Sequence, residues 1–467
     1  MGNKYLVLSD LHLCDVEDHA DGWKWYKHSR YLFDEEFAAL LERFASEATG
    51  DDRLTLILNG DIVDFDLVTA VPDHPPWPVS RSERRRGLAA TEEKSAWKLE
   101  RVLSHHPRFL DALARFRARG HQIVYVMGNH DREFHFTAVR EAFTSCLRQT
   151  AAGLGSPLTG SAIRYEPWFY FVPGEIYAEH GQQYDYYSSF HSLLAPTEVS
   201  GRQQVIALPM GNLSNRYLMS SMGYFNPHAG DFILNLYSYL AHWLRHYARS
   251  RRSLLFKWFF GSLLVMRKLY RRRRLFHSRP QDYDRLLKQT ARHAGLPVEK
   301  VLALDRLCRP PITNRFYRIL REFWLDRVAI GAFMAGGTVA LALVPIPLWI
   351  KLMVPLTGFP LFFFIYEYLA RGGSIFTTEK EIPKFARRVS EMLPVRIVTF
   401  GHTHVPRLLP LSRGVCFVDT GVWAPVFRKE DRTKLARGRR NYLVANFDAG
   451  NGVSVRFDSW MESGPAE

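Results

Sequence analysis

The stretch that most constrains the fold is an apolar run at residues 124–127, VYVM, that ends abruptly in the polar residues 128–131, GNHD. A β-branched and aromatic run without polar residues predicts a strand buried on both faces, and the Gly-Asn pair predicts a turn at its carboxyl end. In α/β proteins the carboxyl ends of the strands carry the chemistry. The stretch therefore predicts an α/β fold whose functional groups lie just beyond buried strands.

The same pattern occurs four more times along the chain, each time as an apolar run that breaks into Asp or His, in most cases beside glycine. In chain order the five blocks are Asp10-x-His12, Gly60-Asp61-x-x-Asp64, Gly128-Asn129-His130-Asp131, His180-Gly181 and Gly401-His402-x-His404. Together these blocks resemble the signature of the calcineurin-like metallophosphoesterases. Within that superfamily the chain is distantly similar to a bacterial branch, the UDP-2,3-diacylglucosamine hydrolases.

The resemblance implies an α/β fold of four layers, an α/β/β/α sandwich, interrupted by a large α-helical, membrane-associating insertion. We expect residues 1–182 and 394–467 to form the metallophosphoesterase domain and residues 183–393 to form the insertion. The insertion separates the fourth and fifth blocks, so we expect it to lie over the active-site edge as a lid.

Periodicity predicts the local elements of the enzyme domain. Helices are expected at residues 30–48, 94–119 and 132–149, and an antiparallel strand pair within residues 162–180. The Pro-rich residues 71–78 are either a rim of the active site or a mobile flap.

The resemblance also implies a site for two divalent cations. One cation is assigned to Asp10, His12, Asp61 and His404, and the other to Asp61, Asn129, His180 and His402, so that Asp61 bridges them. This mixture of oxygen and imidazole ligands suits Mn²⁺, which we favour, and also Fe²⁺ and Zn²⁺. The implied reaction is in-line attack of a metal-bridging hydroxide on phosphorus.

Two further residues are expected to act on the substrate side of the reaction. The resemblance makes His130 the group that protonates the leaving oxygen. Asp64 either orients the His130 ring or caps the next turn, and Asp131 is expected to cap a turn. Phe65 stands where the phosphoprotein phosphatases carry a phosphate-gripping arginine, which leaves Arg81 and Arg132 as candidate phosphate clamps.

The net charge of +15 is concentrated in one part of the insertion, because residues 232–281 contain twelve Lys or Arg and no Asp or Glu. Within the segment 245–274, cations bracket an apolar and aromatic run, which is typical of an interfacial helix on an anionic membrane. A core helix with solvated ends is the alternative, and a nucleic-acid groove is disfavoured because the aromatic residues are separated from the charges. The predicted membrane contacts are Arg251, Arg252, Trp258, Phe259, Arg271, Arg272, Arg273 and Arg274.

A second apolar segment, residues 328–369, contains only Lys351 and Glu367 as charged residues. The Pro-Ile-Pro sequence at 345–347 predicts the turn of a helical hairpin with arms at 328–344 and 348–370, and Arg327 and Arg371 at its two feet. Such a hairpin spans or re-enters a membrane, or it is buried in protein, within this chain or in a homodimer.

The leading hypothesis for function is a phosphoesterase that hydrolyses a lipid-linked phosphate or pyrophosphate at the cytoplasmic face of a bacterial inner membrane. Four scattered cysteines and the absence of a signal peptide favour the reducing side of that membrane. The alternatives are a membrane-anchored phosphodiesterase or phosphatase for soluble nucleotides, and a metal-binding scaffold without activity.

Overall fold

The computed structural model describes residues 2–48, 53–224, 227, 241, 244–248, 252, 254–272, 280–369, 375–427, 435–436, 440–448 and 452–460. Three of the predicted membrane contacts, Arg251, Arg273 and Arg274, lie outside the described residues, as do the side chain of Arg272 and the predicted hairpin foot Arg371.

The first sheet has six strands and contains the first three sequence blocks. Strands β1 (Lys4–Leu8), β2 (Leu54–Asn59), β3 (Gln122–Val126) and β4 (Arg164–Glu166) are parallel neighbours in that order. The antiparallel hairpin of β14 (Arg440–Phe447) and β15 (Val453–Trp460) extends the sheet beyond β1. The run at residues 124–127 is therefore a buried strand end, as its composition predicts.

The second sheet has five strands and contains the fourth and fifth blocks. Its order is β10 (Arg407–Pro410), β11 (Cys416–Asp419), β9 (Ile397–Phe400), β6 (Ile176–Glu179) and β5 (Phe169–Val172). Strands β6 and β9 are parallel, with Ile176 opposite Ile397. Two small pairs complete the described strands, β7 (Thr197–Ser200) with β8 (Gln203–Ile206) and β12 (Val426–Phe427) with β13 (Leu435–Ala436).

Three apolar cores hold these elements together. A buried cluster that includes Val7, Val124 and Ile397 lies between the two sheets. The other face of the first sheet shares a core with helices α1 (Asp34–Glu47), α3 (Glu92–His105), α4 (Pro107–Ala118) and α5 (Thr137–Gly153). The short helix α2 (Arg81–Arg86) precedes α3. The mixed α/β class predicted from the sequence is confirmed.

Within its described residues, the insertion has strands β7 and β8 near its start and continues mainly as helix. Its helices are α6 (Met210–Tyr217), α7 (Leu254–Arg272), α8 (Tyr283–Ala294), α9 (Val298–Leu307), α10 (Phe316–Glu322), α11 (Leu325–Leu343), α12 (Leu348–Met353), α13 (Phe359–Leu369) and α14 (Ile375–Met392). Helices α8, α9 and α14 share a core with the outer face of the second sheet. Because β6 pairs with β9 in parallel, residues 183–393 leave from the carboxyl end of one strand and return at the amino end of its neighbour.

Two local predictions need correction and a third is confirmed. The helix expected at 94–119 is two helices, because Pro107 lacks an N–H and begins α4 as a new helix. The helix expected from 132 begins only at Thr137, after a short 3₁₀ turn. The strand pair expected within 162–180 is β5 with β6, whereas β4 belongs to the other sheet, beside β3.

The apolar hairpin forms with its turn at 345–347, as predicted. Two helical stretches, Leu325–Leu343 and Leu348–Leu369, are long and apolar enough to cross a membrane by length and composition. A π-helical turn at Val354–Gly358 interrupts the second. At the open end of the hairpin, Arg327 Nε pairs with Glu367 Oε1 at 2.7 Å.

Within the described chain the hairpin is not a buried core. Leu343 is 81% exposed and Phe333 is 72% exposed, although both are apolar. The hypothesis that this chain itself buries the hairpin is therefore wrong, whereas contact with a membrane or with a second copy stays a prediction.

Candidate metal centre

The five sequence blocks meet at one edge of the two sheets. Among the described residues, four groups of three side chains have ligand atoms within 4.8 Å of one another. Two of them contain His130, one with His12 and Asp61 and the other with Asp64 and Asp66, and the remaining two consist wholly of predicted metal ligands. Of these remaining two, the first group is Asp10, His12 and His404, and the second is Asp61, His180 and His402. Each of these two groups combines residues from both sheets, so the site exists only because the sheets pack face to face.

The first group is compact and largely buried. His404 Nε2 lies 3.3 Å from Asp10 Oδ1 and 3.1 Å from His12 Nε2. His12 Nδ1 faces Asp64 Oδ2 at 3.1 Å, which leaves His12 Nε2 directed at Asp10 and His404. A carboxylate on one imidazole nitrogen and a ligand position on the other is the usual arrangement around a protein-bound metal ion.

The second group has a similar arrangement around His180. His180 Nδ1 lies 3.0 Å from the backbone oxygen of Asn59, to which it donates, so that Nε2 faces Asp61 Oδ2 at 3.0 Å. The same Nε2 lies 4.0 Å from Asp10 Oδ1, and this distance joins the two groups into one site. His402 Nε2 faces Asp185 Oδ2 at 3.2 Å.

Asn129 provides a direct test of whether the residues suit a cation. Its Oδ1 is buried, yet no described group donates a hydrogen bond to it. A buried amide oxygen without a donor is costly, and a divalent cation would satisfy it. Together with the carboxylates and imidazoles nearby, this oxygen makes the centre fit divalent cations.

The backbone at the site is strained in a repeated way. Five of the predicted ligands have positive φ angles, namely Asp10 at 53°, His12 at 48°, Asp61 at 53°, His402 at 70° and His404 at 60°. Side chains other than glycine seldom adopt this region, and such residues concentrate at functional sites. The turns after the strands are therefore held in conformations that the surrounding structure imposes.

Glycine is required beside two of these residues by close approach. A Cβ atom at Gly128 would lie 2.2 Å from Asp61 Oδ1, and one at Gly401 would lie 2.5 Å from Asp10 Oδ2. These glycines let neighbouring strand ends come close enough for their side chains to share one centre.

The electrostatics of the site keep its carboxylates ionised. Burial raises the pKa of Asp10, but the facing His180, His12 and His404 hold that pKa well below its ordinary value. Burial lowers the pKa of His180, yet Asp61 and Asp10 raise it to about 9. Without a cation His180 therefore tends to hold a proton that a cation would displace.

His130 lies beside the two groups and faces two carboxylates. Its Nδ1 lies 3.1 Å from Asp64 Oδ2 and 3.5 Å from Asp66 Oδ2. Burial would lower the pKa of His130, but Asp64 and Asp61 hold it well above its ordinary value. The facing carboxylates thus favour the protonated ring, the form that can donate a proton. Asp64 Oδ1 also accepts from the backbone N–H of Asp66 and Leu67, which is the capping function considered from the sequence, and orientation of the His130 ring by Asp64 stays a prediction.

Two other residues singled out in the sequence make hydrogen bonds that support the local structure. Asp131 accepts hydrogen bonds from the backbone of Gly128 and Ile62, which confirms that it fixes a turn. Arg132 is buried and donates to the backbone oxygens of Pro167 and Leu193, so its guanidinium supports the chain and is not offered to a phosphate.

Sequence reasoning missed four polar residues at the site. Asp66 and Asp185 follow the second and fourth blocks closely, and their position near a motif was the available signal. Asn212 and Asn215 lie on helix α6 of the insertion, where no motif marks them. Asn215 Nδ2 lies 3.4 Å from His130 Nε2, and Asn212 contacts both Asp66 and Asn129.

The predicted membrane contacts lie on or near α7, away from the strand ends. Phe259 is 37% exposed and Trp258 is partly buried. Arg252 pairs with Asp21 at 2.7 Å and lies over the Trp23 ring, while Arg271 is exposed.

Fold and site together define a class of protein. Buried Asp and His side chains, gathered beyond parallel strands in two adjoining groups, are typical of hydrolases that use metal ions on phosphate esters. The sequence model of the family described as Calcineurin-like phosphoesterase matches residues 4–406. The chain belongs to that family. No curated protein matches the chain.

Membership of the family establishes the reaction class. Its members are metal-dependent hydrolases that act on phosphoric ester bonds, and this chain is an enzyme of that class. The family uses divalent metal ions, and this chain has Asp and His groups suited to them.

Proposed function

We propose that this chain is a dinuclear-metal phosphoesterase that hydrolyses a lipid-linked phosphate or pyrophosphate at the cytoplasmic face of a bacterial inner membrane. The proposal includes the four-layer sandwich of the family with a membrane-associating insertion, a preference for Mn²⁺, and a substrate related to that of the UDP-2,3-diacylglucosamine hydrolases. The observation that supports it is the joining of an acidic, histidine-rich centre to an exposed apolar hairpin in one chain.

Two cations held by the two groups supply an activated water nucleophile and stabilise the negative charge that develops on phosphate. The chain's own residues orient the substrate and move the proton. Asp64 Oδ2 lies 3.1 Å from His130 Nδ1, an ion-pair distance that keeps the ring in place. His130 donates its proton to the leaving oxygen and recovers it from solvent afterwards.

The lipid part of the proposal rests on apolar surface. Exposed Phe333, Leu343 and Phe364 lie on the hairpin, and exposed Phe256 and Phe260 lie on α7. So many large apolar side chains exposed on two helices are unfavourable in water and typical of membrane contact. The basic residues of the segment 245–274 favour the anionic cytoplasmic leaflet.

The test is release of phosphate or nucleotide by purified protein with Mn²⁺ from phospholipids, nucleoside-diphosphate lipids and soluble nucleotides. Asp61→Ala, checked for folding by circular dichroism, is the inactive control. We expect hydrolysis of the lipid substrates and none of the soluble nucleotides. Equal turnover of soluble nucleotides would instead favour the anchored nucleotide phosphodiesterase, and a metal-loaded protein inert on every substrate would favour the scaffold.

A further inference from the structure

Helix α6 belongs to the insertion, yet it lies directly against the candidate metal centre. Asn212 on this helix has 0% exposure. Its Nδ2 donates to Asp66 Oδ2 at 2.6 Å and to the backbone oxygen of Asn129 at 2.9 Å. Its Oδ1 accepts from Asn129 Nδ2 at 3.4 Å. A residue of the insertion thus holds both the backbone and the side chain of a predicted metal ligand.

These contacts determine which way each amide points. The backbone oxygen of Asn129 can only accept a hydrogen bond, so the group that Asn212 turns towards it must be the amide nitrogen. The amide oxygen of Asn212 is then left to face the Asn129 side chain, and it can bond only to a donor. Asn129 must therefore offer its Nδ2 to Asn212, and its Oδ1 points the other way.

We propose that Asn212 is a positioning residue for the second cation, because it fixes the Asn129 amide in the orientation that presents oxygen to the metal. The inference rests on the proposed function, which takes Asn129 as a ligand. With the opposite orientation Asn129 would present two N–H donors, and a cation would be repelled. The Asn129 Oδ1 that no described group satisfies is the atom that this orientation supplies.

A consequence for the insertion follows from the position of α6. The enzyme domain contributes every predicted ligand, but the insertion contributes the residue that orients one of them. We therefore expect full loading of the centre to require that α6 is docked. Gly261 of α7 permits close packing there, since a Cβ atom at Gly261 would lie 2.9 Å from Leu218 Cδ1, immediately after α6.

The first measurement is the number of Mn²⁺ ions bound and their affinities, by calorimetry on the full chain. Asn212→Leu keeps the number and branching of the side-chain heavy atoms and removes the hydrogen bonds. We expect it to bind one Mn²⁺ as the wild type does and the second about 10- to 100-fold more weakly. Ser214→Ala is the matched control, because Ser214 is buried on the same helix and bonds only within it and to Tyr187. It should retain both affinities.

A second background separates orientation from packing. In Asn129→Asp both side-chain atoms are oxygens, so orientation no longer matters, and adding Asn212→Leu should weaken the second cation less than threefold. Equal weakening by Asn212→Leu in both backgrounds, or none in the wild type, would overturn the proposal. If Asn212→Leu does not fold, Asn212→Ser is measured in the same two backgrounds.

The binding readout is independent of substrate. A wild type that binds two Mn²⁺ ions but hydrolyses no phosphoester would overturn the proposed function and leave the role of Asn212 standing. A wild type that binds a single Mn²⁺ would overturn the role of Asn212, whatever its activity.

Discussion

His130 is the residue to which the proposed function assigns proton transfer. Asp64 Oδ2 lies 3.1 Å from its Nδ1, and Asn215 Nδ2 of the insertion lies 3.4 Å from its Nε2. We expect His130→Ala to lower kcat about 100- to 1000-fold for a phosphodiester with an alkyl leaving group, because that oxygen needs a proton. For a nitrophenyl ester, whose leaving group departs without a proton, kcat should fall about tenfold or less. Steady-state kinetics on both esters check this, with metal content unchanged. An equal loss on both substrates would contradict the proton donor.

His180 couples cation binding to protons. Its pKa is raised to about 9, mainly because Asp61 and Asp10 face it against the opposing effect of burial. A cation needs the neutral ring, so between pH 7 and 8.5 we expect Mn²⁺ binding to release about one proton or more and to tighten about tenfold per pH unit. Calorimetry in buffers of different ionisation enthalpy measures that proton. A binding enthalpy that is the same in every buffer would show that His180 is already neutral.

The sequence predicts which residues stand beside the strand ends. It does not predict which other side chains contact them. Asp10 and Asn129 stand in motifs that mark them. Asn212 stands in an ordinary amphipathic helix, and its importance comes from contacts 146 and 83 residues away along the chain, with Asp66 and Asn129. No local sequence pattern reveals a contact between residues so far apart along the chain.

Among the elements, the apolar hairpin is the one whose surface least suits water. We expect a variant with Phe333→Ser, Leu343→Ser and Phe364→Ser to sediment much less with vesicles rich in anionic lipid than the wild type does. Since all three side chains are exposed, folding should be unaffected, and hydrolysis of a soluble aryl phosphodiester checks this.

The matched control for the hairpin variant is Val199→Ser, a similarly exposed apolar site on β7. Unchanged vesicle binding by the triple variant, together with a shift from dimer to monomer, would assign the hairpin to a contact between two copies.

Element types were predictable where periodicity is strong, and their boundaries and partners less so. Pro107 divides the long helix because a ring replaces the N–H that a continuous helix needs. The strand β4 was not assignable to a sheet, because alternation shows that a segment is extended but not which neighbour it pairs with. Pro167, which has no N–H for pairing, follows β4, and the chain then crosses to the second sheet.

Across the whole molecule the metal centre should also contribute stability. Its buried carboxylates and its five residues with positive φ are costly without cations, and binding to the folded state alone stabilises it by mass action. At a Mn²⁺ concentration about 100 times the Kd the gain is about 2.7 kcal/mol per cation, so in a chain of 467 residues chelation should lower Tm by roughly 3 °C for each cation removed. Scanning calorimetry with and without chelator measures this. The Tm of Asp61→Ala should fall much less on chelation. A wild-type Tm that does not change with chelator would contradict a metal-loaded centre.

The parallel pairing of β6 with β9 has a consequence for how such an enzyme diversifies. The chain leaves the sheet after β6 and returns beside it at β9, so the length and sequence of what lies between can change without breaking a strand pair. Evolution can therefore exchange the substrate-facing part of this architecture while the catalytic strands stay as they are. Each new segment must still provide a group that orients the Asn129 amide, as Asn212 is proposed to do here. This requirement limits which segments can replace residues 183–393.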